Sequence, residues 1–255
     1  MIELFHYEPY ANSMKCLLCL EEKGIAFASR YVDILKFEQH TPEFVRINPN
    51  GQVPVLVHDG RVITESTVIN EYLEDVFAET PLRPVDPGER ATMRVWSKRV
   101  DEILMPTVSM LGWQARFRPL FQSYDKAEFD RRMECIPLEE MRVKWRTMAG
   151  PGFSAAQLEE SRRQIRWFIG RMEESLAEKP WLAGASYSLA DINAYPMIEG
   201  VTRLYGEIWN EKYASRSMEW LARINERPAA RAAFAYSRFQ NAPGKARDAE
   251  VALRG

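Results

Sequence analysis

The chain has 255 residues, 46% of them hydrophobic, enough to fill the core of one large domain or two small ones. Its 34 basic and 36 acidic residues leave a net charge of -2, which provides no field for gathering polyanions, so nucleic acid is not an expected partner. No apolar run nears the roughly 20 residues of a membrane-spanning helix, "MIELFHYE" lacks the parts of a secretory signal, and Cys16, Cys19 and Cys135 suggest neither a disulfide framework nor a metal site, so a cytoplasmic protein is expected.

"IELFHY" (2–7) reads as a strand, and "EPYANS" adds a turn proline and two residues suited to capping a helix. "SMKCLLCLEEKG" sets Cys16, Leu17 and Leu20 at helical spacing and stops on Gly24. "FASRYVDI" (27–34) alternates as a second strand, which predicts a parallel pair joined by a right-handed crossover. "TPEFVRIN" (41–48) predicts a short helix with Thr41 as cap and Pro42 at its first position. "VPVLVHDGRVIT" (53–64) is a hairpin around Asp59-Gly60. "ESTVINEYLEDVF" (65–77) is an amphipathic helix with Val68, Ile69, Tyr72, Leu73 and Val76 on one side. Pro54 is the odd residue, because proline cannot donate a ladder hydrogen bond in a strand.

"ETPLRPVDPG" (79–88) has the composition of a linker. Beyond it, Met93, Trp96, Val100, Ile103, Leu104, Val108 and Leu111 predict a long helix over 89–115, and Leu158, Ile165, Phe168, Ile169, Met172 and Leu176 predict another. The region 118–153 mixes prolines, glycines, charges and apolar residues and predicts helix fragments with a mobile loop. "SLAD" (188–191) is a capping-box start for a helix that Pro196 should kink, and short helices follow over 214–226 and 228–238. The fold class is thus α/β plus all-α.

Together, "ANSMKC", "NPNGQVPVL", "ITES" and the later "SLAD" resemble the serine-type cytosolic glutathione transferases. The resemblance implies a thioredoxin-like N-terminal domain (βαβαββα, 1–80), a linker (81–88), a C-terminal helical-bundle domain that receives the substrate (89–240) and a flexible tail (241–255). More narrowly, "KFEQH", "RATMRVWSKRVDE" and "KWR" look like bacterial β-aryl etherases, which cleave lignin-derived ethers. This implies glutathione as co-substrate, a small aromatic electrophile as partner, and a homodimer or a heterodimer with a related chain. Other readings on the same scaffold are a general transferase, a disulfide reductase, a peroxidase and a non-catalytic glutathione-binding module.

On the residues alone, Asn12 or Ser13 caps a helix; the resemblance makes Ser13 the donor to the thiolate, with Asn12 as assistant or substitute. Lowering a thiol by ~2 pK units from ~8.5 corresponds to about 2.7 kcal/mol. Ser13-x-x-Cys16 has no thiol at its first position, so the sulfur must come from glutathione, and Cys16 and Cys19 are read as apolar helix residues. Glu65 and Ser66 read as a helix start, which the resemblance assigns to the ammonium and carboxylate of the γ-glutamyl end. On the residues alone His40 is an ordinary surface histidine; the resemblance implies that it reaches the glycine carboxylate, with Gln52 as a further loop candidate and Lys36 and Gln39 as accessories. The thioredoxin-like fold places a cis-proline at Pro54, which would let Val53 offer its N–H and C=O to the glutathione backbone. Tyr7, Tyr10, Trp113, Phe117, Tyr124 and Trp145 supply aromatic faces for a substrate pocket between the domains, though aromatics at helical spacing also serve as plain core.

Overall fold

The structure is a computed structural model that describes residues 1–239; the tail expected over 241–255 lies outside the described residues. Strand β1 (Ile2–His6) leads into helix α1 (Ala11–Lys23), followed by β2 (Ala28–Tyr31), α2 (Pro42–Ile47), β3 (Val55–His58), β4 (Arg61–Thr64) and α3 (Ser66–Val76). The sheet order is β2-β1-β3-β4, with β1 and β2 parallel and the other pairs antiparallel. Local chemistry accounts for the joints. Gly24 ends α1 with φ 64°, Thr41 caps α2 through the N–H of Phe44, and Asp59 and Gly60 both have positive φ in the hairpin turn. Helix α3 corrects one expectation: Ile69 and Leu73 are fully buried, but Val68 and Val76 are 55% and 43% exposed, so the apolar stripe is narrower than the sequence pattern.

After residues 77–86, which form no helix or strand, Asp86 caps α4 (Pro87–Arg99). The chain stays helical through a π turn (Val100–Leu104), α5 (Met105–Gly112), a second π turn (Trp113–Phe117) and α6 (Arg118–Gln122). Each π turn lies just before a proline, Pro106 or Pro119. Proline lacks the N–H for the α-helical bond and its ring crowds the carbonyl of the preceding turn, so a locally widened turn lets the helix continue.

Where a mobile loop was expected, α6, α7 (Lys126–Glu134) and α8 (Glu139–Ala149) close around their own core of Phe121, Phe129, Met133, Trp145 and Met148. Phe37, from the N-terminal part, completes that core. The remaining helices are α9 (Ala155–Leu176), α10 (Leu189–Leu204), α11 (Glu211–Asn225) and α12 (Pro228–Phe234). Pro196 lies within α10, which runs on past it.

The capping box of "SLAD" is present, and Asp191 does more than cap. Its carboxylate accepts from the N–H groups of Ser188 and Leu182 and from the indole of Trp220, each within 3.0 Å. Burial nevertheless pushes its pKa up to about 6.

One apolar core runs across the two halves, from Leu4 and Leu17 through Leu73 to Tyr195 and Trp220. Polar bonds cross the same boundary. Asn70 donates to Lys15 O and to Asn193 Oδ1, and Asn193 donates to Ser97 Oγ. Lys15 pairs with Asp101 at 2.7 Å, and Arg227 pairs with Glu22. Buried polar groups need such partners, so these bonds set the register of α1 against the helical half.

Candidate functional site

Strand β1 delivers the chain to the N-terminus of α1, where Tyr10 is the N-cap residue and makes no side-chain cap bond. Asn12 and Ser13 therefore do not cap the helix, which corrects the reading of either as its cap. Ser13 is only 4% exposed, and its Oγ accepts the N–H of Tyr7 at 3.2 Å. That bond uses a lone pair and leaves the hydroxyl proton to donate; no acceptor takes it among the described residues. The first helical bond runs from Met14 N–H to Tyr10 O, so the N–H groups of Ala11, Asn12 and Ser13 add the positive end of the helix to the same spot. Ala11 holds φ 46°, a left-handed conformation that aims this turn. Asn12 is half-buried, and its Oδ1 is buried without a partner.

A second helix start lies alongside. Glu65 has φ 65° and ψ 112°, a region that a non-glycine residue occupies at a cost of about 1–3 kcal/mol. Its carboxylate is exposed, the next residue Ser66 is buried, and Thr67 Oγ1 is buried with no partner. The contact of Cys16 Sγ with Ser66 O at 3.6 Å ties this start to α1. Such a start offers N–H groups and a hydroxyl to a carboxylate beside an anion for an ammonium.

The Val53-Pro54 peptide is cis, as expected. Pro54 is buried and Val53 half-buried, and the N–H and C=O of Val53 bond to no other described residue. Gln52, half-buried, spends its backbone oxygen on Asn48. Gly51, with φ 60°, lets the chain pass against His40; a Cβ there would stand 2.9 Å from the His40 ring. His40 is buried, and its Nδ1, the Oε1 of neighbouring Gln39 and the Nε1 of Trp145 lack partners. Desolvation pushes the His40 pKa down to about 4, so the imidazole is neutral at pH 7. Lys36 stands outside this group, exposed and paired with Asp33.

The aromatic residues divide. Tyr7 and Tyr10 flank Ser13, half-buried, with Tyr7 against Tyr31 and Phe239. Burial and neighbouring Glu8 keep the Tyr7 phenol neutral. Trp113, Phe117 and Tyr124 are half-buried along the helical wall. Trp145 is core: 2% exposed, stacked on Phe121 at 4.4 Å and tilted against Phe37 at 4.6 Å. The cysteines of α1 are fully buried, and burial pushes both thiols up, so neither is a nucleophile. A surface pocket of about 450 Å³ beside Met1, Lys23 and Phe77 lies at the opposite end of β1 and shares none of these residues.

Two features were not read from the sequence. Phe37, which carries the aromatic core to the N-terminal half, sits in a polar stretch. Arg203 and Glu199 form a largely buried pair on α10, and the guanidinium lies 5.3 Å from the centre of the Tyr10 ring. The four-residue spacing was legible; the ring it meets belongs to the other half of the chain.

The glutathione S-transferase N-terminal domain model matches residues 11–76, and the glutathione S-transferase C-terminal domain model matches 105–228. The chain is 43% identical over 246 residues to Protein LigF of Sphingobium sp. (strain NBRC 103272 / SYK-6), covering 94% of this chain and 95% of that one. It is 29% identical to FtsZ-localized protein A of Caulobacter vibrioides, covering 88% and 87%. Among solved structures it is similar to beta-etherase LigF from Sphingobium sp. strain SYK-6, with TM-score 0.88 over 92% of this chain and 99% of that one. Glutathione transferase F7 from Populus trichocarpa, at 23% identity, shares the fold with TM-score 0.72 over 91% and 97%.

Proposed function

Because the chain belongs to the glutathione S-transferase family, we propose that it is a glutathione-dependent β-aryl etherase acting on lignin-derived aromatic ketones. The observation that carries this reading is the 43% identity to LigF, whose solved structure is that of a beta-etherase, over 94% of the chain. Glutathione supplies the sulfur nucleophile, which displaces an aryl oxide from the carbon next to a ketone.

The residues divide the work. Ser13 donates its free hydroxyl proton to the thiolate, and the start of α1 adds its positive end. Asn12 borders the same turn. Glu65 and Ser66 take the ammonium and carboxylate of the γ-glutamyl end. Val53 offers its free N–H and C=O to the peptide, with Pro54 shaping that edge, and neutral His40 with Gln52 takes the glycine carboxylate. The unpartnered buried atoms of Asn12 and Thr67 at the two helix starts, and of Gln39 and His40 beside Gly51, support this reading, since buried polar groups without partners are uncommon. Holding nucleophile and electrophile in one cleft removes much of the entropic cost of their meeting. Tyr7, Tyr10, Trp113 and Phe117 face the aromatic electrophile. The working unit is a dimer in the cytoplasm. No described helix is long and apolar enough to cross a membrane.

The test is a panel with glutathione and one each of a β-aryl ether ketone, a chlorinated aromatic and hydroxyethyl disulfide. Phenol release from the ether is expected. Disulfide turnover without phenol release would instead place the chain among the reductases.

A further inference from the structure

Glu8 sits in the loop between β1 and α1, and its carboxylate is fully buried. Burying a carboxylate is costly unless donors surround it, and no ion pair supports this one among the described residues. Three hydrogen bonds do. Oε1 accepts from the Tyr31 hydroxyl at 2.8 Å and from the N–H of Arg238 at 3.0 Å, and Oε2 accepts from the Ser237 hydroxyl. Two of the three donors thus come from the stretch after α12, 229 and 230 residues further along the chain. Further contacts fix that stretch. Tyr236 donates to Glu21 at 2.9 Å and packs on Phe27 at 5.2 Å, and the Arg238 guanidinium lies 4.1 Å from the centre of the Tyr31 ring. Ser237 Oγ, which donates to Glu8, also accepts the N–H of Phe239 at 3.2 Å.

This latch closes beside Ser13. His6 and Tyr31 are the last paired residues of the parallel strands β1 and β2, and the carboxyl ends of parallel strands are where α/β sheets receive ligands. Tyr7 comes next after β1. Its N–H donates to Ser13 Oγ at 3.2 Å, and its ring meets the Phe239 ring edge to face at 6.3 Å. One hydrogen bond and one ring contact therefore join Ser13 to Phe239 through Tyr7 alone. Phe239 is 48% exposed, so its ring is pinned without being buried. A lone exposed ring is ordinary on a protein surface; one whose backbone is anchored through a fully buried carboxylate is a built feature.

We propose that Phe239 is a specificity-determining residue, forming with Tyr7 the wall that receives the aryl group of the electrophile, and that Glu8 is the positioning residue that holds it there. This rests on the reading above that Tyr7 faces an aromatic electrophile. Two perpendicular rings make a corner in which a third, planar ring stacks on one and meets the edge of the other, both favourable arrangements. The corner exists only while the stretch after α12 is latched, because Phe239 reaches Tyr7 from that side and not from β1 or α1. The residues proposed to hold glutathione away from the sulfur lie on other segments, between His40 and Ser66, so loss of the ring should spare glutathione.

The test is steady-state kinetics with a β-aryl ether ketone and glutathione. Phe239→Ala should raise the KM for the ether by about three- to tenfold with kcat within about twofold, and Phe239→Tyr should keep parental values. Ser237→Ala and Glu8→Gln each weaken the latch and should reproduce the KM rise in part; Ser237→Ala added to Phe239→Ala should change nothing further, since both act through one ring. The KM for glutathione and the ultraviolet titration of its bound thiol should stay at parental values, which a general loosening of the site would move. Amide hydrogen exchange reads the latch without turnover: the N–H groups of Arg238 and Phe239 should exchange slowly in the parent and faster in Ser237→Ala. An unchanged ether KM in Phe239→Ala, equal rises for ether and glutathione, additive effects in the double variant, or fast exchange at both amides in the parent would each overturn the proposal. Absence of phenol release by the parent would instead overturn the etherase reading, and the same variants then report on the chlorinated aromatic, whose ring the wall would equally receive.

Discussion

Replacing Ser13 by alanine should produce two effects that can be measured apart. The hydroxyl has a free proton for a bound thiolate, and a hydrogen bond to a charged group contributes about 1.5–3 kcal/mol. At 1.36 kcal/mol per unit, the pKa of the bound thiol should rise by about 1–2 units in Ser13→Ala. The positive end of α1 stays in place, so the shift should stop short of the free-thiol value by the roughly 0.3–1 kcal/mol that a helix terminus supplies. The second effect is structural. Oγ is the acceptor for Tyr7 N–H, and removing it leaves that buried donor unpaired, at about 1 kcal/mol of stability. Ultraviolet titration of the enzyme-bound thiolate reads the first effect and denaturant unfolding the second. The activity lost at pH 7 should return as the pH is raised past the new thiol pKa. An unchanged thiolate titration, even with reduced stability, would refute the role of Ser13 and move it to Asn12 or the backbone N–H groups.

Other expectations concern the supporting residues. Ser66→Ala should weaken glutathione binding, measured by calorimetry, by about 1 kcal/mol while leaving the bound thiol pKa within experimental error. His40 has a folded pKa of about 4 against an ordinary 6.5, so the unfolded chain takes up a proton between these values and the folded chain does not. Its contribution is fully present above pH 6.5 and is lost as pH falls toward 4, by at most about 3 kcal/mol before solvent screening; parent and His40→Gln unfolding curves should converge over that window. Glu74 and Lys23 are both enclosed, at 2.7 Å, and Lys23 also donates to the carbonyls of Phe77 and Thr80. Glu74→Ala strands that ammonium and should cost about 3–5 kcal/mol in denaturant unfolding, whereas Lys23→Met with Glu74→Leu should recover most of it.

The elements of the N-terminal half were legible because their signals are local. Gly24 at a helix stop, Thr41-Pro42 at a helix start and Asp59-Gly60 in a tight turn act through their own backbone geometry, and each performs that task in the fold. "SLAD" was legible for the same reason, since a capping box closes over four residues. Amphipathic spacing was less exact, because it names a face without naming what covers it. Val68 and Val76 share the pattern of Ile69 and Leu73 but remain exposed.

By itself the sequence determined the order of strands and helices, the family likeness and the short motifs proposed to face glutathione. Only the tertiary structure decided that Ser13 is free of capping duty, that Trp145 is core, and that residues 118–149 pack as three helices on Phe37. It also decided that buried Glu8 meets Ser237 and Arg238 from the far end of the chain. The reason is physical. Turn and cap preferences are settled within a few residues, whereas burial, and the partner a charge meets, depend on segments that come together only when the two halves dock.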